Sequence, residues 1–254
     1  MKKVGIFGDS YTEVWPITSL RPGIRNNSWV LQLQQEYPAG ECVTHGAGGS
    51  NLAWSFRQFL DHHGEYEKVI FVVTNLHRWS FPEGKGFKIR HRPSGTEIIY
   101  HHLPNVSHAE FLVKEWDCEN NMAQKILDYM VWMSSPSEQF ISDQHMATVH
   151  YIKTIRPDAI IIPGFDPKKT GCNDLGYDFC LCDIDNRETQ KFFKERGKVD
   201  WNDPRPNHFS PRTTDWILKH IKGRLAGEFI QWRPGDTEEF NTLEDFNQAN
   251  GITK

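Results

Sequence analysis

The chain lacks a CxxC motif. Its five cysteines, Cys42, Cys118, Cys172, Cys180 and Cys182, therefore do not read as a structural zinc site, whose ligands usually come in close pairs. An odd number of scattered thiols fits a reducing compartment better than a disulfide framework. No apolar run approaches the roughly 18 residues of a membrane span. Met1-Lys2-Lys3 leads straight into a strand-like stretch, without the apolar core of a secretory signal. The expected location is the cytoplasm, with no membrane partner. Positive charge is not in excess either: 29 Lys and Arg stand against 33 Asp and Glu, a net charge of −4. Generic binding to a phosphate backbone wants a basic face, so no nucleic-acid partner is expected.

What the chain does have is a regular alternation of strand-like and helix-like segments. Val4-Gly5-Ile6-Phe7 reads as a first strand. A helix is expected from Asn27 or Ser28, capped by a side-chain oxygen, with Trp29, Val30, Leu33 and Tyr37 on one face and Pro38-Ala39-Gly40 stopping it. Glu41 to His45 is a short strand, and the helix after it should turn Leu52, Ala53, Phe56, Phe59 and Leu60 inward. Val69-Ile70-Phe71-Val72-Val73 is a continuous apolar run of the kind buried on both faces of a sheet. Helices are expected around 120–133 and 137–155, a fourth strand at Ala159 to Pro163, and a short fifth at Phe179 to Ile184. A helix over 187–196 and a last one opening at Ser210-Pro211, with Trp216, Ile217, Ile221 and Leu225 buried, complete the set.

This order implies an α/β fold, a mostly parallel sheet with helices on both faces. It reads as one domain over residues 1–232, with a Gly-, Pro-, His- and Arg-rich insertion at about 80–112 that holds one strand, Glu97 to Tyr100. Residues 233–254 form an acidic tail.

Ligands of open α/β sheets bind beyond the carboxyl ends of the strands. Gly8-Asp9-Ser10 follows strand one, Gly46-Ala47-Gly48-Gly49-Ser50 strand two, Asn75 strand three and Asp166 strand four, while His208 stands just before the last helix. A hydroxyl, a glycine-rich backbone loop, an amide and an imidazole on one rim are the parts that acyl transfer requires. Taken singly, each has a plainer reading: a turn, a helix opening or phosphate cradle, a strand-end cap, a surface histidine. The glycine loop lacks the GxGxxG spacing and the acidic ribose partner of a dinucleotide site.

Phe7-Gly8-Asp9-Ser10, Gly46-Ala47-Gly48-Gly49, Val73-Thr74-Asn75 and Asp203-Pro204-Arg205-Pro206-Asn207-His208 resemble, in order, four sequence blocks of the SGNH (GDSL-type) hydrolases. The resemblance implies a three-layer α/β/α, flavodoxin-like fold around a five-stranded, mostly parallel sheet. It implies Ser10 as nucleophile and His208 as base. The main-chain N–H groups of Ser10 and Gly49 and the side-chain amide of Asn75 would form the oxyanion hole, and no cofactor is required. This is not the Gly-x-Ser-x-Gly elbow of the α/β-hydrolases, which the chain lacks.

Two blocks depart from the family pattern. Where Gly-x-Asn-Asp is usual, the chain has Val73-Thr74-Asn75-Leu76, and Arg205 stands where an Asp three residues before the histidine is usual. A guanidinium only donates hydrogen bonds and repels an imidazolium. Asp203 is the first choice to orient His208, with Asp166, Asp183, Asp185 or a Ser–His dyad as alternatives.

Nine tryptophans and 16 phenylalanines supply packing and, in a cleft, flat rings suited to sugars. Trp54, His77, Arg78 and Trp79 lie next to the expected oxyanion loops and are the candidate substrate-binding residues. The expected substrate is a small-molecule or carbohydrate ester, with a short-chain or O-acetyl group removed. Acyl transfer to a sugar and a non-catalytic binding module are the competing readings. No histidine–carboxylate spacing points to a metal ligand set; His91, His101, His102 and His108 are expected to face solvent.

Overall fold

The computed structural model describes residues 2–14, 28–75, 78–80, 87–91, 95, 97–100, 102–103, 110, 112–114, 116–118, 121–134, 138–164 and 211–228. Among these residues it is a mixed α/β structure with a sheet of four parallel strands: β1 (Lys2–Gly8), β2 (Cys42–Gly46), β3 (Tyr66–Val73) and β9 (Ile160–Pro163), in the spatial order β2-β1-β3-β9. The register sets Phe7 beside His45 on one side and Phe71 on the other, with Ile161 beyond Phe71. The chain moves outward from β1 to β2, then crosses back over β1 to β3. The carboxyl ends of β1 and β3 therefore lie at a topological switch point, where open α/β sheets leave a crevice.

Alternation along each strand divides the apolar side chains between two faces. Val4, Ile6, Ile70, Val72, Ile160 and Ile162 pack with Trp29, Val30 and Leu33 of helix α1 (Trp29–Gln35) and with Ile217, Leu218 and Ile221 of α5 (Pro211–Leu225). On the opposite face, Phe7, Val69, Phe71, Val73 and Ile161 meet Leu52 and Phe59 of α2 (Leu52–His62) and Val149 and Ile152 of α4 (Glu138–Ile155). Helices cover both faces, which is why the run Val69 to Val73 is buried without interruption. A further helix, α3 (Met122–Ser134), precedes α4.

Between β3 and α3 lie two small antiparallel sheets. β4 (Trp79–Ser80) pairs with β7 (His102–Leu103), and β5 (Phe87–His91) is flanked by β6 (Glu97–Tyr100) and β8 (Trp116–Cys118). The expected strand at Glu97 to Tyr100 is thus one arm of a hairpin, and strand pairing continues past residue 112 to β8.

Two local expectations are corrected. Ser28 occupies the N-cap of α1, but its side chain makes no capping hydrogen bond. In α2 the buried residues are Leu52, Ser55, Gln58 and Phe59, whereas Ala53 is exposed and Leu60 is on the border of exposure. The inward stripe follows positions i, i+3 and i+7 from Leu52, and Ser55 fits it because its hydroxyl bonds the Asn51 carbonyl at 3.3 Å. The expected strand at 179–184, the helix at 187–196, the Trp216 side chain and the 233–254 tail lie outside the described residues.

Candidate functional site

β1 ends at Gly8, whose φ of 154° and surroundings admit only glycine. A Cβ there would stand 2.9 Å from both Thr12 Cγ2 and Val72 Cβ. The chain then turns sharply through Asp9, Ser10, Tyr11 and Thr12. The Asp9 carboxylate and carbonyl hold the turn from inside: Oδ1 accepts from the Tyr11 N–H at 3.1 Å, and the carbonyl accepts from the Thr12 N–H at 2.9 Å and the Thr12 hydroxyl at 2.8 Å. Asp9 is fully buried and Ser10 nearly so.

The loop after β2 is fastened to the same turn. The Ala47 N–H and the Ser50 hydroxyl both donate to the Gly8 carbonyl, each at 3.3 Å. The Thr44 hydroxyl donates to the Thr12 carbonyl and accepts from the Gly46 N–H. Gly49 has φ 75°, the left-handed region where glycine is at home. Ser50 N–H then closes on the Ala47 carbonyl at 3.1 Å, and Asn51 caps α2 by accepting from the Trp54 N–H at 2.9 Å.

The exit of β3 supplies the third side. Thr74 donates its hydroxyl to Asp9 Oδ2 at 2.7 Å, and Arg78 Nη1 stands 2.8 Å from the same oxygen. Both partners of this ion pair are buried. Asn75, half-buried, follows Thr74 directly. On the far side, the Gly164 N–H after β9 donates to the Val73 carbonyl at 2.8 Å.

Ser10, the Gly49 loop and Asn75 therefore share one rim, at the carboxyl ends of adjacent strands. Trp54 is half-buried in the first turn of α2, and Trp79 lies in β4. Arg78, expected beside substrate, directs Nη1 to Asp9. His208, Asp203 and His77, like Asp166, Asp183 and Asp185, lie outside the described residues.

Sequence reasoning assigned no role to Asp9 or Thr74. Aspartate directly after a strand and before a turn commonly bonds the backbone two residues on, so half of the Asp9 role was available in the sequence. Its partnership with Thr74 and Arg78 joins residues more than sixty positions apart and was not.

A second group of polar residues lies on the aromatic side of the sheet. The His45 ring stacks on Phe7 and on His62, with centroids 5.0 and 4.4 Å apart, and its Nε2 is 2.6 Å from the Tyr66 hydroxyl. Burial first, and then the neighbouring His62, push the His45 pKa down to about 4, so its ring is neutral at neutral pH. His62 Nδ1 lies 2.7 Å from Glu65, which also pairs with Lys2 at 3.0 Å.

Among the described residues no cluster of three or more His, Cys, Asp or Glu side chains could hold a metal ion, and no helix is long and apolar enough to cross a membrane. The chain matches no protein-family model, no curated protein and no solved structure.

Proposed function

We propose that the chain is a serine esterase of the SGNH (GDSL-type) kind, with a flavodoxin-like, three-layer fold. It would act on short-chain or O-acetyl esters of a carbohydrate. The observation that carries this reading is the setting of Ser10. It sits on a glycine-tight turn at the carboxyl end of β1, at a switch point, with the Gly46–Ser50 loop tied to one side of the turn and the Thr74-Asn75 exit tied to the other.

In this reading His208 removes the Ser10 proton as Oγ attacks the ester carbonyl, and Asp203 orients the imidazole. The N–H groups of Ser10 and Gly49 and the Asn75 amide stabilise the tetrahedral oxyanion. The protonated His208 returns its proton to the departing alcohol, leaving an acyl group on Ser10. Water, deprotonated by His208, then releases the acid and restores the hydroxyl. The rings of Trp54 and Trp79, with His77, offer flat surfaces for a sugar.

The test is turnover of p-nitrophenyl acetate. Wild type hydrolyses it, and Ser10→Ala and His208→Ala each lose at least about 10³-fold in kcat. Equal rates in wild type and Ser10→Ala would remove the esterase reading.

A further inference from the structure

The ion pair behind Ser10 links two parts of the chain that are far apart in sequence and brought together by the pairing of β1 with β3. Asp9 belongs to the turn that carries the hydroxyl. Arg78 comes immediately before β4, where the chain leaves the main sheet for the two small antiparallel sheets. The guanidinium reaches back 2.8 Å to Asp9 Oδ2 in a setting where its side chain is 4% exposed and that of Asp9 is not exposed at all. The same Asp9 oxygen receives Thr74, while the other fixes the Tyr11 N–H. One carboxylate therefore divides its two oxygens between the nucleophile turn and the root of the inserted sheets.

A buried carboxylate of this kind holds its position only while its cation and hydrogen bonds are in place. Removing one partner leaves a charge in a low-dielectric site, and the surrounding backbone or solvent must rearrange to meet it. The backbone able to move is the Asp9–Thr12 turn itself: the carboxylate holds the Tyr11 N–H directly, and the carbonyl of the same residue holds the Thr12 N–H and hydroxyl, so a shift of Asp9 carries the turn with it.

We propose that Arg78 is a positioning residue for Ser10: through Asp9 it fixes the turn that aims the hydroxyl, and it makes that aim depend on how the inserted sheets are seated. The consequence for catalysis rests on Ser10 being the nucleophile; the consequence for the turn does not. The two are measured separately.

Amide hydrogen exchange at Ser10, Tyr11 and Thr12 reads the turn. Labelling by a fluorophosphonate reads the hydroxyl: the Ser10 Oγ–P bond forms, the P–F bond breaks, fluoride leaves and the serine proton passes to the base. In Arg78→Met and Asp9→Asn, at temperatures where each is fully folded, exchange at these amides rises above that of the β3 amides. Labelling slows about 10- to 100-fold, as expected for a reacting atom displaced by about 1 Å. Arg78→Lys, which keeps the charge, recovers most of the loss. For the ester, kcat falls while KM holds. If Arg78→Met does not fold, Arg78→Gln, which keeps an N–H donor of shorter reach, takes its place.

Exchange and labelling within about twofold of wild type in a folded Arg78→Met would overturn the proposal, since a residue that aims the nucleophile must change kcat. So would a fall in global stability with no local change at the three amides. Wild type that resists the phosphonate, while Arg78→Met still loosens the turn, would sustain the role of Arg78 and reject Ser10 as a nucleophile.

Discussion

Gly46 is packed against the backbone of Thr12. A Cβ on Gly46 would stand 2.6 Å from the Thr12 carbonyl carbon and 2.8 Å from the Glu13 nitrogen, as well as against the Thr12 hydroxyl. These are main-chain atoms and cannot swing aside as the end of a long side chain can. The end of β2 and the turn after β1 meet here backbone to backbone, with the Thr44 hydroxyl bonded to both the Thr12 carbonyl and the Gly46 N–H.

Gly46→Ala is therefore expected to lower stability by about 1–3 kcal/mol, the usual cost of overpacking, and to move the Ser10 turn with it. Urea denaturation reads the first effect, and the phosphonate-labelling rate of the folded variant reads the second. A Gly46→Ala protein as stable as wild type would show that the two loops separate easily.

Thr74→Val keeps the shape of the side chain and removes its hydroxyl. Asp9 Oδ2 would keep Arg78 but lose a 2.7 Å hydrogen bond inside a fully buried site. Hydrogen bonds to charged groups contribute about 1.5–3 kcal/mol, and a stability loss of that size is expected from urea denaturation, read as a lower midpoint at unchanged slope.

Acid should weaken the fold through His45. Burial and His62 hold its pKa near 4 in the folded chain, against about 6.5 unfolded. Between those values the unfolded chain binds more protons, so the contribution is complete above pH 6.5 and is lost as the pH falls towards 4. The full shift would correspond to about 3 kcal/mol; the ring is only half-buried, and screening brings the expected loss to about 1–2 kcal/mol. Glu65, held near 2 by His62 and then Lys2, adds a loss in the same direction at lower pH, below about 4.5. Thermal melts from pH 7 to 4 check this, and His45→Phe, which keeps the stack on Phe7, should flatten the slope across that range.

Cys42 has its thiol pushed up to about 12 by burial, and only a thiolate attacks alkylating reagents. Iodoacetamide at pH 8 should leave Cys42 unmodified in the native protein and modify it once urea unfolds the chain, as read by mass spectrometry of its peptide. Rapid native modification would mean that β2 opens from the sheet.

Arg156 joins the end of α4 to the start of β3. Its guanidinium donates to the carbonyls of His63, Tyr66 and Glu67 at 2.8–3.0 Å and pairs with Asp158. Lysine cannot reproduce that planar fork, so even Arg156→Lys should cost about 1–3 kcal/mol, measured by chemical denaturation.

The sheet was legible because its signal is local. Val69 to Val73 needs no partner to read as a strand, and Gly-Asp-Ser after Phe7 needs none to read as a turn. The faces of helices were less so. Ala53 and Leu60 have apolar side chains and Ser55 does not, yet the direction of α2 over Phe7 and Phe71 buries Ser55. Arg78 was seen, but as a substrate contact. Its tie to Asp9 exists only because β1 and β3 are neighbours, a fact of topology that spacing along the chain does not carry. The same holds for His45 and Tyr66, whose meeting depends on two parallel strands with β1 between them.

The core over the α1 face joins Val4 and Ile6, near the start of the chain, to Ile217, Leu218 and Ile221, near its end, and Lys222 reaches Glu36 across the same seam at 2.7 Å. During synthesis that side of the sheet waits for α5. A nascent or truncated chain ending before Pro211 would keep α1 over Val4, Ile6, Ile70, Val72, Ile160 and Ile162 but lack Ile217, Leu218 and Ile221, leaving that apolar face only partly covered. Such a fragment should bind hydrophobic dyes and chaperones until the last helix arrives.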